Sequence, residues 1–244
     1  MSSTRAADGL AGKTAIVTGA TRGIGLAVTR ALVSDGARVA MLARGQAGLQ
    51  AAARALGSLA VAVQCDVSDA DALVRACATV RSMCDGAPDI IVNNAGAFEL
   101  DPVEKLDPGA FSRTLETNLV APHRIVHEFL ADMRVRGSGH ILTIGSTADR
   151  QTFPDNGAYA ASKHAARALH EVMRAELRGS GVRVTLISAG PVDTPLWDAI
   201  DPDNRAGFSP RAMMLRAEAV AEAVRYAVTQ PVDVNVDELR LSRS

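Results

Sequence analysis

Lysine, tyrosine, cysteine and long hydrophobic runs are all scarce in this sequence of 244 residues. Only three of its 26 basic residues are lysines, and it has two tyrosines, one tryptophan and three cysteines. No stretch approaches the roughly 18 apolar residues that span a bilayer. The net charge of −1 gives no excess of positive charge that would attract nucleic acid or an anionic membrane. We therefore expect neither nucleic acid nor a membrane as a partner.

The three cysteines, Cys65, Cys77 and Cys84, show neither CxxC nor Cys/His spacing. We interpret them as small buried or half-buried residues in a reducing compartment. Cys77 and Cys84 are seven residues apart on one helical face, which leaves a metal or redox role as the alternative. Residues 1–12 contain no apolar run. We therefore expect neither a signal nor a transit peptide, and a cytoplasmic protein without a metal site.

Short apolar runs alternate with amphipathic segments along the chain, and 48% of its residues are hydrophobic. The predicted strands are 13–19, 38–43, 59–64, 88–94, 140–145, 182–188 and, as a possible last strand, 232–241. The predicted helices are 23–35, 46–56, 68–84 with Ser68 as N-cap, 108–136, 156–179 and 217–229. This alternation predicts βαβ units and a parallel sheet that is covered on both faces. We expect an α/β fold with a Rossmann-type doubly wound sheet in three layers. It forms a single domain over residues 12–244, after a disordered tail over residues 1–11.

Tyr159 and Lys163 are four residues apart in a predicted helix, so they lie on one helical face. A lysine kept in a chain so rich in arginine is interpreted as present for its own chemistry. Its ammonium is a compact charge that can tune a neighbouring group, whereas a guanidinium stays charged. The pairing is suited to a phenol that works as an acid/base.

A glycine-rich loop follows the first predicted strand and opens the first predicted helix. Its residues are Gly19, Thr21, Arg22, Gly23, Ile24 and Gly25, with GxxxGxG spacing rather than the general GxGxxG. Glycines there permit a sharp turn and close approach to a pyrophosphate, which the helix N-terminus then faces. Such a turn can be purely structural, but its place at the first βα junction indicates nucleotide binding.

Together these segments resemble the short-chain dehydrogenase/reductase family, in its single-domain branch with TGxxxGxG and YxxxK motifs. The matching segments are TGATRGIG at 18–25, CDVSD at 65–69, NNAG at 93–96, Asn118, Ser146, YAASK at 159–163 and AGPVDT at 189–194. The resemblance implies a seven-stranded parallel sheet with a nicotinamide cofactor across the carboxyl ends of its strands. It also implies a homodimer or homotetramer, in which helices 108–136 and 156–179 contact a second copy. The alanine-rich face of 156–179 fits this subunit's own sheet equally well.

By this resemblance, the catalytic residues are Asn118, Ser146, Tyr159 and Lys163. Tyr159 is expected to be the acid/base, with its pKa lowered by the Lys163 ammonium and the oxidised nicotinamide. Ser146 is expected to bind the substrate oxygen, and Asn118 to hold a water that links Lys163 to solvent. Ser146 as an ordinary polar residue at a strand end, and Asn118 as a helix-bending or capping residue, are the alternatives.

The resemblance also implies a set of cofactor-binding residues beyond the glycine loop. These are Arg44, Asp66, Val67, Asn94, Ala95, Gly96, Tyr159, Lys163, Val192 and Thr194. Asp66 and Val67 are expected at the adenine, and Thr194 with the backbone of Val192 at the nicotinamide carboxamide. Asn93 has a structural role as readily as a binding one. The order Ala189-Gly190-Pro191 departs from the Pro-Gly usual in that loop, which leaves the local path of the backbone open.

The end of the second strand indicates which cofactor is preferred. Members of the family that prefer NAD usually have an acidic residue there, whereas this chain has Ala43 and Arg44. Arg22 adds a second guanidinium on the same side, and two guanidiniums suit a 2′-phosphate. We therefore predict NADP(H) in preference to NAD(H). The alternative is that Arg44 is a solvated residue at a helix start.

The residues and the resemblance together predict an NADP(H)-dependent oxidoreductase that interconverts a carbonyl and a secondary alcohol on a small molecule. A non-catalytic dinucleotide sensor on the same fold, or an epimerase or dehydratase, is the alternative. The expected pocket segments are 97–100, 147–149, 151–156 and 196–207. Trp197 is either an anchor for a lid or a substrate contact. The C-terminal VNVDELRLSRS lacks the VDGG-like ending of many acyl-carrier-protein reductases, which disfavours that substrate.

Overall fold

The computed structural model describes residues 9–244 and shows a seven-stranded parallel sheet between two layers of helices. Its strands are β1 (Thr14–Thr18), β2 (Arg38–Ala43), β3 (Ala60–Gln64), β4 (Ile90–Asn93), β5 (Gly139–Ile144), β6 (Val182–Ala189) and β9 (Glu238–Leu241). They are ordered β3-β2-β1-β4-β5-β6-β9. Two short strands, β7 (Val192–Asp193) and β8 (Leu215–Arg216), pair separately. The predicted α/β fold and seven-stranded sheet are confirmed.

The described part of the chain has seven α-helices besides these strands. They are α1 (Gly23–Ser34), α2 (Gln46–Leu56), α3 (Ala70–Cys84), α4 (Pro108–Leu115), α5 (Ala121–Arg136), α6 (Gly157–Glu176) and α7 (Ala217–Val228). The predicted order of elements is confirmed, and the bounds of α2 agree at both ends. Of the predicted last strand 232–241, only the final four residues form β9.

Helices bury the sheet on both faces, and successive strand residues point to opposite faces. In β1, Ala15 and Val17 belong to one hydrophobic core, which packs against α1, α2 and α7. Ile16, between them, belongs to the second core, which packs against α3, α5 and α6. Hence the central strands are continuous apolar runs, and the three predicted layers are present.

The helical stretch predicted over residues 108–136 is present with the same bounds, but a π-helical turn over Glu116–Val120 interrupts it between α4 and α5. Pro122 supplies the physical reason: it has no N–H to donate to the carbonyl of Asn118, four residues earlier. A π-turn of this kind often lies at a functional site. It includes Asn118, whose place in the irregular turn thus results from Pro122 rather than from Asn118 itself.

The N-cap of α3 is Asp69 and not Ser68 as predicted. The Asp69 carboxylate accepts a 3.0 Å hydrogen bond from the Ala72 amide, which satisfies one free donor of the first turn. Ser68 instead binds back to Asp66, with its hydroxyl 2.7 Å and its amide 3.0 Å from Oδ1. Ser68 therefore shapes the turn after β3 rather than the start of the helix.

The folded domain begins before residue 12. Residues 1–8 of the predicted tail lie outside the described residues, but Leu10 is buried and its amide donates a 2.7 Å hydrogen bond to the Asp35 carbonyl. Within residues 9–244, no helix is both long and apolar enough to cross a bilayer.

Candidate active site

Most of the predicted site residues follow strands at one edge of the sheet, whereas Asn118, Tyr159 and Lys163 lie on helices. The glycine loop follows β1, Arg44 follows β2, Asp66 follows β3, Asn94 follows β4, Ser146 follows β5, and Thr194 lies after β6 and β7. Parallel strands end at the same edge, so segments up to 175 residues apart in sequence meet there. The reversal of strand order between β1 and β4 is where doubly wound sheets bind ligands.

The glycine loop forms a tight cradle at the start of α1. Gly19 and Gly23 have φ angles of 65° and 53°, which favour glycine. A Cβ at position 25 would overlap the Gly19 carbonyl oxygen and the Asn94 amide nitrogen. Helix α1 has no side-chain N-cap and no acidic residue in its first turn. Its free N–H groups and positive dipole end therefore fit the pyrophosphate of a dinucleotide.

Asn94 fastens the glycine loop to the end of β4. Its Nδ2 donates to the Thr18 carbonyl at 2.8 Å, and the amides of Asn94 and Ala95 both donate to the Thr18 hydroxyl at 2.9 Å. The neighbouring Asn93 is buried, and neither polar atom of its side-chain amide has a partner among residues 9–244. Asn94 thus holds the cradle in shape, while the contacts of Asn93 assign it no role.

Arg22 and Arg44 are exposed at the mouth of this cradle, and within residues 9–244 neither side chain forms a salt bridge. The amide of Ala20 donates to the Leu42 carbonyl at 3.3 Å, which ties the glycine loop to the end of β2 near Arg44. Asp66 is half-buried; burial raises its pKa, but the Ser68 hydrogen bonds and the Arg44 charge leave it below the ordinary value. The Val67 side chain packs into the core, so its backbone is what faces the edge.

Tyr159 and Lys163 lie on the same face of α6, as predicted. The Lys163 Nζ is 5.5 Å from the centre of the Tyr159 ring and donates a 2.9 Å hydrogen bond to the Ile144 carbonyl. Burial lowers the pKa of Lys163 to about 8, although the Asp149 carboxylate acts in the opposite direction. This ammonium is therefore buried beside the phenol and fixed to the end of β5.

The pKa of Tyr159 is shifted in the direction opposite to the one predicted. Burial raises it, a hydrogen bond with the Ser146 side chain lowers it, and the Asp149 carboxylate raises it again. The expected lowering by Lys163 is wrong for the protein by itself, because desolvation of the phenolate is the largest effect. The phenol therefore carries its proton near neutral pH.

Ser146 is the N-cap of a one-turn 3₁₀ helix, Thr147–Asp149, that follows β5. Its hydroxyl accepts a 3.2 Å hydrogen bond from the Ala148 amide, and its backbone carbonyl accepts one of 2.9 Å from Asp149. These bonds fix the direction of the serine side chain. The structure thereby brings Ser146 and Tyr159 together, which the sequence predicted from residues 13 apart.

The side chain of Asn118 is fully engaged with protein. Its Oδ1 accepts from the Ala97 amide at 2.8 Å, and its Nδ2 donates to the Ala97 carbonyl at 3.0 Å and to the Ser162 hydroxyl at 2.9 Å. It therefore ties the loop after β4 to α6, next to the Tyr159–Lys163 face. The backbone carbonyl of Asn118 receives no hydrogen bond from Pro122, which has no N–H, and is therefore suited to bind a water.

Asp149 is a buried charge that the sequence prediction placed only among pocket-lining residues. Its side chain is 1% exposed, accepts a hydrogen bond from the Ser188 hydroxyl, and pairs with Arg150 at 3.1 Å. A Cβ at Gly145 would lie 3.1 Å from its Oδ2, so the glycine before Ser146 makes room for it. No pattern in the sequence distinguishes this carboxylate from an exposed one, because Ser188 is 39 residues away.

Residues 194–214, here called the lid segment, contact the glycine loop through Thr194 and are closed at their base by the pairing of β7 with β8. Thr194 is buried against the glycine loop, where a Cβ at Gly23 would lie 3.0 Å from its methyl group. Trp197 Nε1 donates a 3.0 Å hydrogen bond to the Val192 carbonyl. The Val192 carbonyl therefore already has one partner, and this hydrogen bond fixes the position of the Trp197 indole at the base of the lid.

A parallel doubly wound sheet with a glycine cradle at its switch point defines a Rossmann-type dinucleotide-binding protein. The sequence model described as short chain dehydrogenase matches residues 13–205. The chain belongs to the short-chain dehydrogenase/reductase family and is an oxidoreductase of that family.

The similar proteins cover almost the whole chain. An uncharacterized oxidoreductase of Staphylococcus epidermidis is 32% identical over 234 residues, or 94% of this chain and 96% of that protein. The crystal structure of a metagenomic short-chain oxidoreductase in complex with NADP has a TM-score of 0.83 at 30% identity, over 97% of this chain and 99% of that one. An alcohol dehydrogenase of the archaeon Thermococcus sibiricus, complexed with 5-hydroxy-NADP, has a TM-score of 0.82 at 32% identity, over 94% and 95%.

Proposed function

We propose that the protein is an NADP(H)-dependent oxidoreductase that interconverts a carbonyl compound and a secondary alcohol, with Tyr159 as acid/base. The observation that carries the proposal is the grouping of Tyr159, Ser146 and the buried Lys163 ammonium beside the glycine cradle. The NADP and 5-hydroxy-NADP complexes of similar structures support a nicotinamide cofactor.

The chain's own residues supply the proton, orient the substrate oxygen and stabilise the phenolate, whereas the hydride comes from elsewhere. The nicotinamide cofactor, when bound, supplies or accepts that hydride. Tyr159, whose raised pKa keeps the phenol protonated, donates its proton to the substrate oxygen as negative charge develops there. The Ser146 hydroxyl, fixed by its place at a 3₁₀ turn, orients the same oxygen. The Lys163 ammonium, 5.5 Å from the ring, stabilises the phenolate that remains.

Reprotonation of the phenol requires a path to solvent. Pro122 leaves the Asn118 carbonyl without its usual helical donor, so this oxygen is suited to a water between Lys163 and solvent. Asn118 itself is held by Ala97 and Ser162. We assign Asn118 to proton relay through its backbone.

The cofactor-binding assignment follows the edge of the sheet. The cradle and α1 hold the pyrophosphate, and the exposed Arg22 and Arg44 hold a 2′-phosphate. The remaining contacts are assigned to Asp66 and Val67 at the adenine, to Asn94, Ala95 and Gly96 beneath the cofactor, to Lys163 at the ribose, and to Thr194 with Val192 at the carboxamide. NADP(H) is thereby favoured over NAD(H).

Steady-state oxidation of NADPH tests the function, using a panel of ketones, aldehydes, diketones and 3-oxoacyl thioesters, with NADH in parallel. NADPH-dependent turnover of at least one carbonyl class is expected. Tight NADPH binding with no turnover across the panel would contradict the proposal and favour a dinucleotide sensor on the same fold.

We further propose a cytoplasmic homodimer or homotetramer built through α5 and α6. Exposed apolar residues on these helices, Val135 at 91% and Val172 at 51%, support this contact. On the alanine-rich face of α6, Ala158 is buried in this subunit, whereas Ala161 and Ala168 are exposed and also support this contact. Light scattering measures the mass directly, and a monomer would contradict the assembly.

A further inference from the structure

Four aromatic side chains form a continuous surface that begins at the proposed acid/base. The Phe98 ring packs edge-on against Tyr159 with 4.7 Å between centroids, and against Trp197 with 5.2 Å. Trp197 in turn lies 6.1 Å from Phe208. We call these four residues the aromatic surface. They are half of the eight aromatic residues in the chain, and each residue is half-buried.

Beyond the Tyr159 hydroxyl, the aromatic surface offers a ligand no polar atom. The indole N–H of Trp197 is used by the Val192 carbonyl at 3.0 Å. Phe98 and Phe208 have no polar side-chain atoms. A molecule whose oxygen contacts Tyr159 therefore meets apolar rings on this side, and a flat apolar group packs there by edge-to-face or offset stacking.

The charges around the lid segment disfavour an anionic substrate. Residues 194–214 contain three aspartates and two arginines. Arg211 pairs with Asp193 at 3.0 Å and with Asp198. Arg205 lies 5.0 Å from the Phe208 ring centre and 3.9 Å from Asp155. Both guanidiniums of the lid therefore already have acidic partners.

The charged residues near Ser146, on the other side of the site, also disfavour an anionic substrate. Arg150, which follows the 3₁₀ turn of Ser146, is bound by Asp149 at 3.1 Å and by Glu238 at 2.6 Å. Glu99 and Asp101 adjoin Phe98 and add negative charge. A substrate carboxylate or phosphate would have to break an existing ion pair or face these acids.

We infer that the substrate is an uncharged carbonyl compound, or the corresponding alcohol, with an aryl or similarly flat apolar group beside the reacting carbon. This group packs on Phe98 and Trp197, while the carbonyl oxygen contacts Tyr159 and Ser146. The inference rests on the proposed function and adds the substrate class to it. Phe98 and Trp197 are the residues that determine this specificity.

Three matched ketones test the inference, each assayed with NADPH. They are an aryl methyl ketone, an alkyl methyl ketone of equal carbon number, and the aryl ketone with a carboxylate on its ring. The expected kcat/KM for the aryl ketone exceeds that for the alkyl ketone by about tenfold or more. The carboxylated ketone is expected to be the poorest substrate. Equal or reversed ranking of either pair would overturn the inference.

Substitutions at Phe98 and Trp197 test whether the aromatic surface causes the preference for the aryl ketone. Phe98→Leu and Trp197→Leu are each expected to lower kcat/KM for the aryl ketone by about tenfold and to change that for the alkyl ketone much less. Phe111→Leu, the same change at a half-buried position of α4 outside this surface, is the matched control and keeps the wild-type ratio. Because there are two separate variants, the test stands even if one of them misfolds. Circular dichroism measures whether each variant is folded. An aryl preference that survives both would overturn the inference.

The outcomes separate this inference from the proposed function. If carbonyls are reduced with NADPH but without aryl preference, only the substrate class is wrong. If no carbonyl of any class is reduced, the proposed function and this inference fall together.

Discussion

The ammonium nitrogen of Lys163 lies 5.5 Å from the centre of the Tyr159 ring and is fixed by a 2.9 Å hydrogen bond to the Ile144 carbonyl. Burial lowers the pKa of Lys163 to about 8, so the ammonium loses its proton as pH rises through that value. We expect kcat/KM for NADPH, which reports the free enzyme, to fall over the same range. Lys163→Met should lower kcat/KM by about 100-fold and remove this pH dependence. A break near pH 8 that persists in the variant would assign it to another group.

Asp149 provides a second pH prediction, because its buried carboxylate raises the pKa of both Tyr159 and Lys163. Asp149→Asn keeps the shape and removes the charge. The basic limb of the pH profile of kcat/KM should therefore move to lower pH. Asp85→Asn, at an exposed helix end far along the chain from this turn, is the matched control. A profile that drops in height without moving along the pH axis would show that Asp149 has only a structural role.

The buried His140 side chain allows a prediction of how the free energy of unfolding changes at acidic pH. Burial, together with the Arg183 charge, lowers the pKa of His140 from 6.5 to about 3. Below pH 6.5 the unfolded chain binds a proton that the folded chain excludes, so this contribution to stability is complete above pH 6.5. It is lost as pH falls toward about 3. In His140→Gln the free energy of unfolding should decrease less steeply below pH 6.5.

Chemical denaturation at several pH values measures that slope. His127→Gln, on an exposed face of α5, should retain the wild-type slope. If the slopes of the two variants are equal, the acid sensitivity does not come from His140.

Arg44 tests the cofactor preference. Arg44→Asp removes an exposed guanidinium that can bind a 2′-phosphate. The carboxylate that takes its place repels this phosphate. Arg44→Asp should lower the ratio of kcat/KM for NADPH to that for NADH by about 10-fold to 100-fold. Arg54→Asp, the same charge reversal on α2, should leave the ratio unchanged. An unaltered ratio in Arg44→Asp would contradict the assignment of NADP(H).

The sequence was sufficient to predict the fold and the edge where the site lies. Apolar runs, glycine positions and the Tyr159–Lys163 spacing are local patterns, and the sheet topology follows from them by general rules. The π-turn at Asn118 was missed although Pro122, four residues later, was a visible signal for it.

Features that depend on distant segments were not predictable in the same way. The burial of Asp149 depends on Ser188 in β6, and the raised pKa of Tyr159 on desolvation by the whole site. The contact of Phe98 with Trp197 joins residues 99 apart in sequence. Such groups acquire their environment only when the sheet is assembled. The roles of the site residues stay predictions until they are measured.

The most direct test of the account is the rate of NADPH oxidation in a single turnover, for wild type and Tyr159→Phe, both saturated with NADPH and a carbonyl substrate. The variant keeps the ring against Phe98 and removes only the proton donor. The account predicts unchanged NADPH affinity and a rate lower by about 10²–10⁴-fold. A Tyr159→Phe variant that oxidises NADPH at the wild-type rate would contradict the assignment of Tyr159 as acid/base.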